Sequence, residues 1–134
     1  MAQEHFTLVE ARAALALIRA PLAALQRVQV QLRELRTELR ALGRQHLNDG
    51  VVAERRVRQL RQQQQRLGEE AQRHAFAIRD AGAELKSIED GLIDFPTEIE
   101  GVPSYWCWRT GEADIEWWHP RSEGFAGRRR IVPS

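Results

Sequence analysis

The sequence predicts an α+β protein in which a long antiparallel helical hairpin is followed by a small three-stranded antiparallel β-meander. Apolar residues recur every three or four positions through residues 8–81, whereas seven of the nine aromatic residues lie in residues 92–127. Charge divides at the same place. Residues 1–81 hold 14 Arg against nine acidic residues, a net charge of +5, and residues 82–127 hold three basic against ten acidic residues, a net charge of −7. A chain of 134 residues is expected to form one domain.

The first helix is predicted over residues 8–42. Thr7 and Glu10 have the spacing of a capping box, in which each side chain bonds to the backbone amide of the other residue. Pro21 lies inside the helical pattern and should kink the helix, because proline removes one backbone hydrogen bond. The apolar positions form a coiled-coil-like seam: Ala11, Leu15, Ile18, Leu22, Leu25, Val28, Leu32, Leu35, Leu39 and Leu42.

The second helix is predicted over residues 51–81. Gly43 and the run Asn48-Asp49-Gly50 mark a turn before it, and Gly82 is placed to end it as a C′ glycine. Two amphipathic helices of this length leave apolar surface that a small sheet covers only at one end. We therefore expect two hairpins to associate as a homodimeric four-helix bundle.

The β-meander is predicted over residues 92–119, and residues 120–134 are expected to form a loop and a basic tail. The first strand should end at Pro96, residues 97–103 should form a loop, and the third strand should begin at Asp114. If Gly111 and Glu112 form the tip of the second hairpin, Trp106 lies opposite Trp117. Side-chain alternation then gives one apolar face that packs on the helices: Ile93, Phe95, Trp106, Trp108, Ile115 and Trp117.

The opposite face of the predicted meander collects the residues that could carry chemistry. The candidate site residues, including two at its edges, are Asp94, Cys107, Arg109, Glu112, Asp114, Glu116 and His119. Carboxylate, thiol and imidazole groups are metal ligands, but no spacing here matches a closed zinc site, and the predicted register directs His119 away from Cys107. The alternative is a lattice of salt bridges in which Asp94 and Asp114 flank Arg109.

Cys107 could also act as a nucleophile if a base lay beside it. Its predicted neighbour is Glu116, and a carboxylate raises the pKa of a thiol rather than lowering it. A partly buried, unreactive cysteine is the simpler interpretation.

Several short segments spread over the chain form a recognisable pattern: His5-Phe6-Thr7, Leu85-Lys86, Gly91-Leu92-Ile93-Asp94-Phe95-Pro96, Cys107-Trp108-Arg109, Gly111-Glu112, Trp118-His119 and Gly124-Phe125-Ala126-Gly127-Arg128. On these segments the chain resembles the prokaryotic family catalogued as domain of unknown function 2203. Members of that family typically have an acidic residue after the Trp-His pair, where this chain has Pro120. The resemblance implies fold and membership, and it carries no activity, substrate or catalytic residue.

We expect a cytoplasmic, self-associating interaction or scaffold protein that is not an enzyme and that presents its acidic β-module to a protein partner. The single cysteine fits a reducing compartment, and the short apolar run near the N-terminus is neither a signal peptide nor a membrane span. No cofactor is indicated by the sequence, and the binding of a metal stays open.

Two other classes of function fit parts of the sequence. An enzyme, or a protein that binds a small ligand or a metal, would use a pocket where the sheet meets the helices, lined by Asp94, Arg109 and His119. Nucleic-acid binding would use the tryptophans and the arginine tail, but the tryptophans lie in the acidic half, which repels phosphate.

Overall fold

The computed structural model describes residue 3 and residues 5–45 and 50–132. Two helices, α1 (Leu8–Gln45) and α2 (Gly50–Asp80), precede an antiparallel sheet whose strands neighbour one another in chain order. The strands are β1 (Glu84–Ser87), β2 (Leu92–Ile99), β3 (Val102–Arg109), β4 (Trp117–Pro120) and β5 (Arg129–Arg130), with a 3₁₀ turn at Phe125–Gly127. The α+β class and the helical hairpin are confirmed, and the sheet has five strands where three were predicted.

Local capping signals set the helix ends as the sequence predicts. The Thr7 amide donates to Glu10 Oε1 at 2.9 Å and the Glu10 amide donates to Thr7 Oγ1 at 3.1 Å, which confirms the capping box. At the end of α2, Gly82 has a φ of 99°, its amide donates to the Arg79 carbonyl, and the next amide donates to the Ile78 carbonyl. This is a Schellman motif, and it confirms Gly82 as the C′ residue.

Between the two helices, the structure differs from one detail of the predicted turn. Gly43 lies inside α1, which runs on to Gln45, while the predicted turn at residues 48–49 lies outside the described residues. Pro21 lies within α1, and the kink at this position stays a prediction. Within the described part of the chain, neither helix has a stretch long and apolar enough to cross a lipid bilayer.

The predicted seam packs into two clusters within one chain, and Leu32, Leu39 and Leu42 in its second half are only partly buried. Where the first half of α1 packs on α2 and the sheet, the larger cluster includes Leu15, Ile18, Leu22, Ile78, Ile93, Phe95, Trp108 and Ile115. Farther along the hairpin, Val28 and Leu35 of α1 pack with Leu60 and Leu67 of α2. The sheet therefore packs against the end of the hairpin that contains the start of α1 and the end of α2. Toward the connection between the helices, α1 and α2 bury each other's apolar residues.

The first hairpin of the sheet is longer than predicted, because Pro96 does not end its strand. β2 continues to Ile99, and the turn consists of Glu100 and Gly101 alone, with φ values of 53° and 80°. Counting back from this two-residue turn, the pair Pro96–Tyr105 falls at a non-hydrogen-bonded position of the β2–β3 ladder. A proline is tolerated there because the ladder needs no donor from it.

The predicted register of the second hairpin is wrong by one residue. Trp106 lies opposite Trp118, not Trp117, and β4 begins only at Trp117. The preceding segment is held by α1 instead: Arg19 donates to the Ala113 carbonyl at 2.6 Å, and Arg12 donates to the Ile115 carbonyl at 2.8 Å. Residues 113–115 thus contact α1 and do not pair with β3, and the ladder resumes at the Cys107–Trp117 pair.

The two strands that the sequence did not predict lack an intrinsic strand signal. β1 reads Glu-Leu-Lys-Ser and has neither a β-branched nor an aromatic residue, and β5 is only two arginines long. Their pairing partners define them, since β1 adds to β2 and β5 adds to β4.

Phe6 fastens the chain before α1 to the sheet. Its amide donates to the Pro96 carbonyl at 2.8 Å, while its carbonyl accepts from Thr97 Oγ1 at 2.7 Å and from Trp106 Nε1 at 2.8 Å. Its ring lies 5.2 Å from the Phe95 ring and fills the space beside Gly82, where a Cβ atom would come within 2.3 Å of it. Glycine at position 82 is thus needed both for its φ and for the close approach of this ring.

We predict that Phe6→Ala lowers the free energy of unfolding by about 3–5 kcal/mol, because it removes a buried ring from the larger core. Phe76→Ala is the matched control, since Phe76 is 63% exposed; its effect should stay within about 0.5 kcal/mol. Urea unfolding followed by tryptophan fluorescence measures both. Equal effects of the two substitutions would contradict the role of Phe6.

Candidate metal centre

Three buried side chains from three neighbouring strands meet on the sheet face that points away from the helices. They are Asp94 of β2, Cys107 of β3 and His119 of β4, which are 2%, 0% and 3% exposed. Their carboxylate, thiol and imidazole ligand atoms all lie within 4.8 Å of one another. The observed register of β4, and not the predicted one, puts His119 on the face that carries Cys107.

Strand geometry explains how these side chains reach each other. Asp94 and Cys107 are directly opposite in the β2–β3 ladder, two pairs beyond the Pro96–Tyr105 pair, and so again at a non-hydrogen-bonded position, where side chains lie closest. His119 is opposite Tyr105, on the same face and diagonal to Cys107. Its imidazole extends across β3 to the Asp94 carboxylate.

The hydrogen bonds of His119 define where protons lie in this cluster. Nδ1 is 2.9 Å from the Pro120 carbonyl oxygen, which can only accept, so Nδ1 is the donor. Nε2 is 3.2 Å from both Asp94 oxygens. One proton is therefore shared between Nε2 and Asp94, either as an imidazolium that donates or as a carboxyl group that donates. The Cys107 thiol supplies a second hydrogen bond to Asp94.

Burial dominates the ionisation of this cluster. It raises the pKa of Asp94, an effect that His119 and the thiol hydrogen bond oppose. Burial also raises the pKa of the Cys107 thiol far above its usual range, and the charge of Asp94 adds to this effect. In the absence of a metal, Cys107 is thus a protonated, poorly nucleophilic thiol.

Tyr105 closes one side of the cluster. Its ring centroid is 5.5 Å from that of His119, and its hydroxyl donates to Glu84 Oε1 at 3.0 Å. Lys86 lies over the same ring at 4.7 Å and pairs with Glu84 at 3.0 Å. Arg121 lies over the ring as well, at 5.1 Å.

Trp117 and Arg128 close the other side. Trp117 is directly opposite Cys107 in the β3–β4 ladder. The Arg128 guanidinium lies 4.8 Å from the Trp117 ring and 4.6 Å from the Phe125 ring, and it pairs with Glu112 at 2.6 Å. The loop after β4 thus folds back over the sheet and covers the cluster.

Among the seven sequence candidates, the structure brings together Asp94, Cys107 and His119 and disperses the rest. Arg109 is exposed and contacts Asp90 at 3.5 Å and the Phe125 ring at 5.5 Å.

The three remaining acidic candidates each face an arginine. Asp114 pairs with Arg12 at 3.5 Å, Glu116 pairs with Arg130 at 3.4 Å, and Glu112 pairs with Arg128. The predicted lattice in which Asp94 and Asp114 flank Arg109 is therefore wrong, and so is the predicted contact between Glu116 and Cys107.

A cavity of about 410 Å³ does lie where the sheet meets the first helix. Its lining includes Arg19, Gln26, Trp108 and Glu112, and it does not include Asp94, Arg109 or His119. Those three residues do not converge there, because Asp94 and His119 are on the other face of the sheet.

Sequence reasoning missed the residues that enclose the cluster. Arg128 reads as part of a basic tail, and nothing in its local pattern indicates a buried position between two rings. Tyr105 belongs to the predicted polar face, but its tilted ring contact with His119 depends on the register of β4. These contacts come from the return of the chain after β4, which no local signal specifies.

The cluster fits a single transition-metal ion. Zn²⁺ bonds to sulfur at about 2.3 Å and to nitrogen or oxygen at about 2.0–2.2 Å, so ligand atoms around one ion lie roughly 3.3–3.7 Å apart. With ligand atoms within 4.8 Å, side-chain movements of about 1 Å bring all three into bonding range. A set of one sulfur, one nitrogen and one oxygen ligand favours zinc or a similar transition metal over Mg²⁺ or Ca²⁺.

Fold and site together define a helical-hairpin protein whose small antiparallel sheet carries a buried Asp–Cys–His cluster. Over residues 4–131 the chain matches the family described as "Uncharacterized conserved protein (DUF2203)", and it belongs to that family. This confirms the resemblance drawn from the sequence. No curated protein and no solved structure matches the chain.

We predict that Cys107 in the native, metal-free protein reacts with iodoacetamide at least roughly tenfold more slowly than in urea, because the buried thiol stays protonated. Mass spectrometry of samples quenched over time at pH 8 measures both rates. Native alkylation as fast as that of the unfolded chain would show an exposed or activated thiol and would contradict the geometry described above.

Proposed function

We propose that this protein binds one transition-metal ion, with Zn²⁺ as the best fit, through Asp94, Cys107 and His119. The observation that carries the proposal is the convergence of three different metal-ligating groups, all buried, on three adjacent strands. Buried polar groups of this kind destabilise a fold unless they are paired, so a cluster of them in place of apolar side chains favours a specific use.

The net charge of the cluster supports the exchange of two protons for one metal dication at this site. Without metal, Asp94 and His119 share one proton and Cys107 holds another, so the cluster is neutral overall. With metal, one dication faces a carboxylate, a thiolate and a neutral imidazole, and the sum is again zero. A buried site therefore gains the ion without acquiring net charge, which avoids the large cost of burying an isolated charge.

The burial of the cluster favours a binding or structural role over catalysis. A metal here would join β2, β3 and β4 through one ligand each, while Tyr105 and Trp117 shield it from substrates in this conformation. A reducing compartment such as the cytoplasm suits the site, because it keeps the single cysteine available as a thiolate ligand.

We predict that the metal-free protein binds Zn²⁺ at one ion per chain in equilibrium dialysis and that binding raises its melting temperature, since only the folded state brings the three ligands together. Cys107→Ser and His119→Gln should abolish stoichiometric binding and the rise in melting temperature.

Asp114→Asn and Glu116→Gln are the matched controls, because both carboxylates come from the same stretch of sequence but pair with surface arginines. They should bind Zn²⁺ as the unaltered protein does. Wild-type protein that binds no Zn²⁺, or control variants that lose binding together with the cluster variants, would contradict the proposal.

Self-association is a second candidate property, and one surface of α1 favours it. Val9 and Leu17 are 78% and 72% exposed, and the exposed residues Ala13, Ala16 and Ala20 lie on the same side of the helix, at spacings of three and four. A second copy of the chain could cover this apolar stripe, helix against helix, in a homodimeric bundle that serves as an interaction module. The hairpin seam is less suited to this purpose, because Leu35 and its neighbours Val28, Leu60 and Leu67 are already buried within one chain.

For this second property, we predict that Leu17→Asp converts a dimer into a monomer in sedimentation velocity, because it puts a charge in the middle of the apolar stripe. Val132→Asp is the control, since Val132 is 82% exposed and is not part of the α1 stripe; it should leave the dimer intact. A wild-type protein that sediments as a monomer at micromolar concentration would refute self-association.

A further inference from the structure

We propose that Arg128 is the positioning residue of this centre: its Nε–H donates a hydrogen bond to the Cys107 sulfur when that sulfur is a metal-bound thiolate. The inference rests on the metal site proposed above and concerns a residue outside the three ligands. It assigns a function to a buried cation whose hydrogen bonds within the described chain are incomplete.

The guanidinium of Arg128 is buried and lacks one partner. Only 9% of its side chain is exposed, and its Nη2 donates to the two Glu112 oxygens at 2.8 and 2.6 Å. Within the described part of the chain, Arg128 Nε is buried and has no hydrogen-bond acceptor. A buried donor without an acceptor destabilises a fold, so the arrangement is one in which an acceptor is missing.

Two aromatic rings fix this guanidinium beside the metal ligands. It lies between Trp117 and Phe125, at 4.8 and 4.6 Å from the ring centroids. Trp117 is the direct cross-strand neighbour of Cys107 on the same sheet face. The cation over the Trp117 ring is therefore part of the surroundings of the thiol, and against the larger effect of burial its charge lowers the pKa of Cys107.

Metal binding would create the acceptor that Arg128 lacks. A neutral thiol is a weak acceptor, whereas a metal-bound thiolate carries negative charge and accepts N–H bonds. Groups that hydrogen-bond to a metal ligand typically change metal affinity by about 10–100-fold. Arg128 has the charge, the burial and the donor that this position requires.

If Arg128 had only a structural role, removing the Glu112 charge would affect metal affinity differently than if Arg128 acts on the thiolate. Glu112 Oε1 accepts from the Arg109 amide at 2.7 Å as well as from Arg128, so the Arg128–Glu112 pair ties the loop after β3 to the C-terminal segment. If Arg128 acted only through this pair, removing either charge would weaken the centre equally. If Arg128 acts on the thiolate, removing the Glu112 charge leaves its donor in place.

The test is a Co²⁺ titration of the full chain, read by the thiolate-to-cobalt charge-transfer band and by the dissociation constant. R128Q should weaken Co²⁺ binding by about tenfold or more and move the band to lower energy, because the thiolate loses a stabilising donor. R128K keeps the charge but not the planar Nε donor, and it should bind at least about threefold more weakly. E112Q should bind at least as tightly as wild type.

R130Q is the matched control, since Arg130 also lies over the Trp117 ring, at 5.3 Å, but is 63% exposed and pairs with Glu116. It should leave affinity and spectrum unchanged. Wild-type affinity and an unshifted band in both R128Q and R128K would overturn the proposal, as would equal weakening by R128Q and E112Q. A wild-type protein that binds no Co²⁺ would overturn the metal centre itself, and this inference with it.

Discussion

The pairing of His119 with Tyr105 in the β3–β4 ladder is the constraint on which the candidate site depends. Because side chains alternate across a strand, a shift of one residue in the β3–β4 register would turn His119 toward the helices, away from Asp94 and Cys107. The alternation of apolar and charged residues predicts a different register, so local sequence alone does not specify the observed one. Arg12 and Arg19 of α1 donate to carbonyl groups of the segment just before β4. The helical hairpin therefore contacts the segment that leads into the strand carrying His119.

The same sheet has two faces with different physical demands. The face toward α1 is a conventional apolar core, in which Phe95 and Ile115 are fully buried. The outer face buries polar groups, and Arg128 from the chain after β4 packs on the Trp117 ring beside them. Stacked arginines and rings form the cover of the cluster, and most of the cations are matched by carboxylates. Ion pairs of this kind contribute little to the free energy of unfolding where they are exposed. Their main effect is therefore to enclose the cluster.

Local signals made much of the fold predictable, and tertiary contacts decided the rest. Thr7 and Gly82 marked the helix ends correctly, because caps depend on residues a few positions apart. The predicted end of the first strand at Pro96 was wrong. Proline is tolerated at a non-hydrogen-bonded position of a ladder, and the sequence of one strand does not show which positions these are. Three of the seven candidate site residues form the cluster, and the sequence could name them by their chemistry. It could not join His119 to the others, and it could not place Arg128, because both positions depend on contacts distant in the chain.

A crystal structure of the protein soaked with Zn²⁺, with an anomalous difference map at the zinc absorption edge, would show whether the cluster holds a metal. We predict one strong peak per chain, bonded to an Asp94 oxygen, Cys107 Sγ and a His119 nitrogen at about 2.0–2.3 Å. His119 Nε2 is the expected nitrogen, since Nδ1 donates to the Pro120 carbonyl. A map with no peak between these side chains, or with zinc bound only at surface carboxylates, would contradict this prediction.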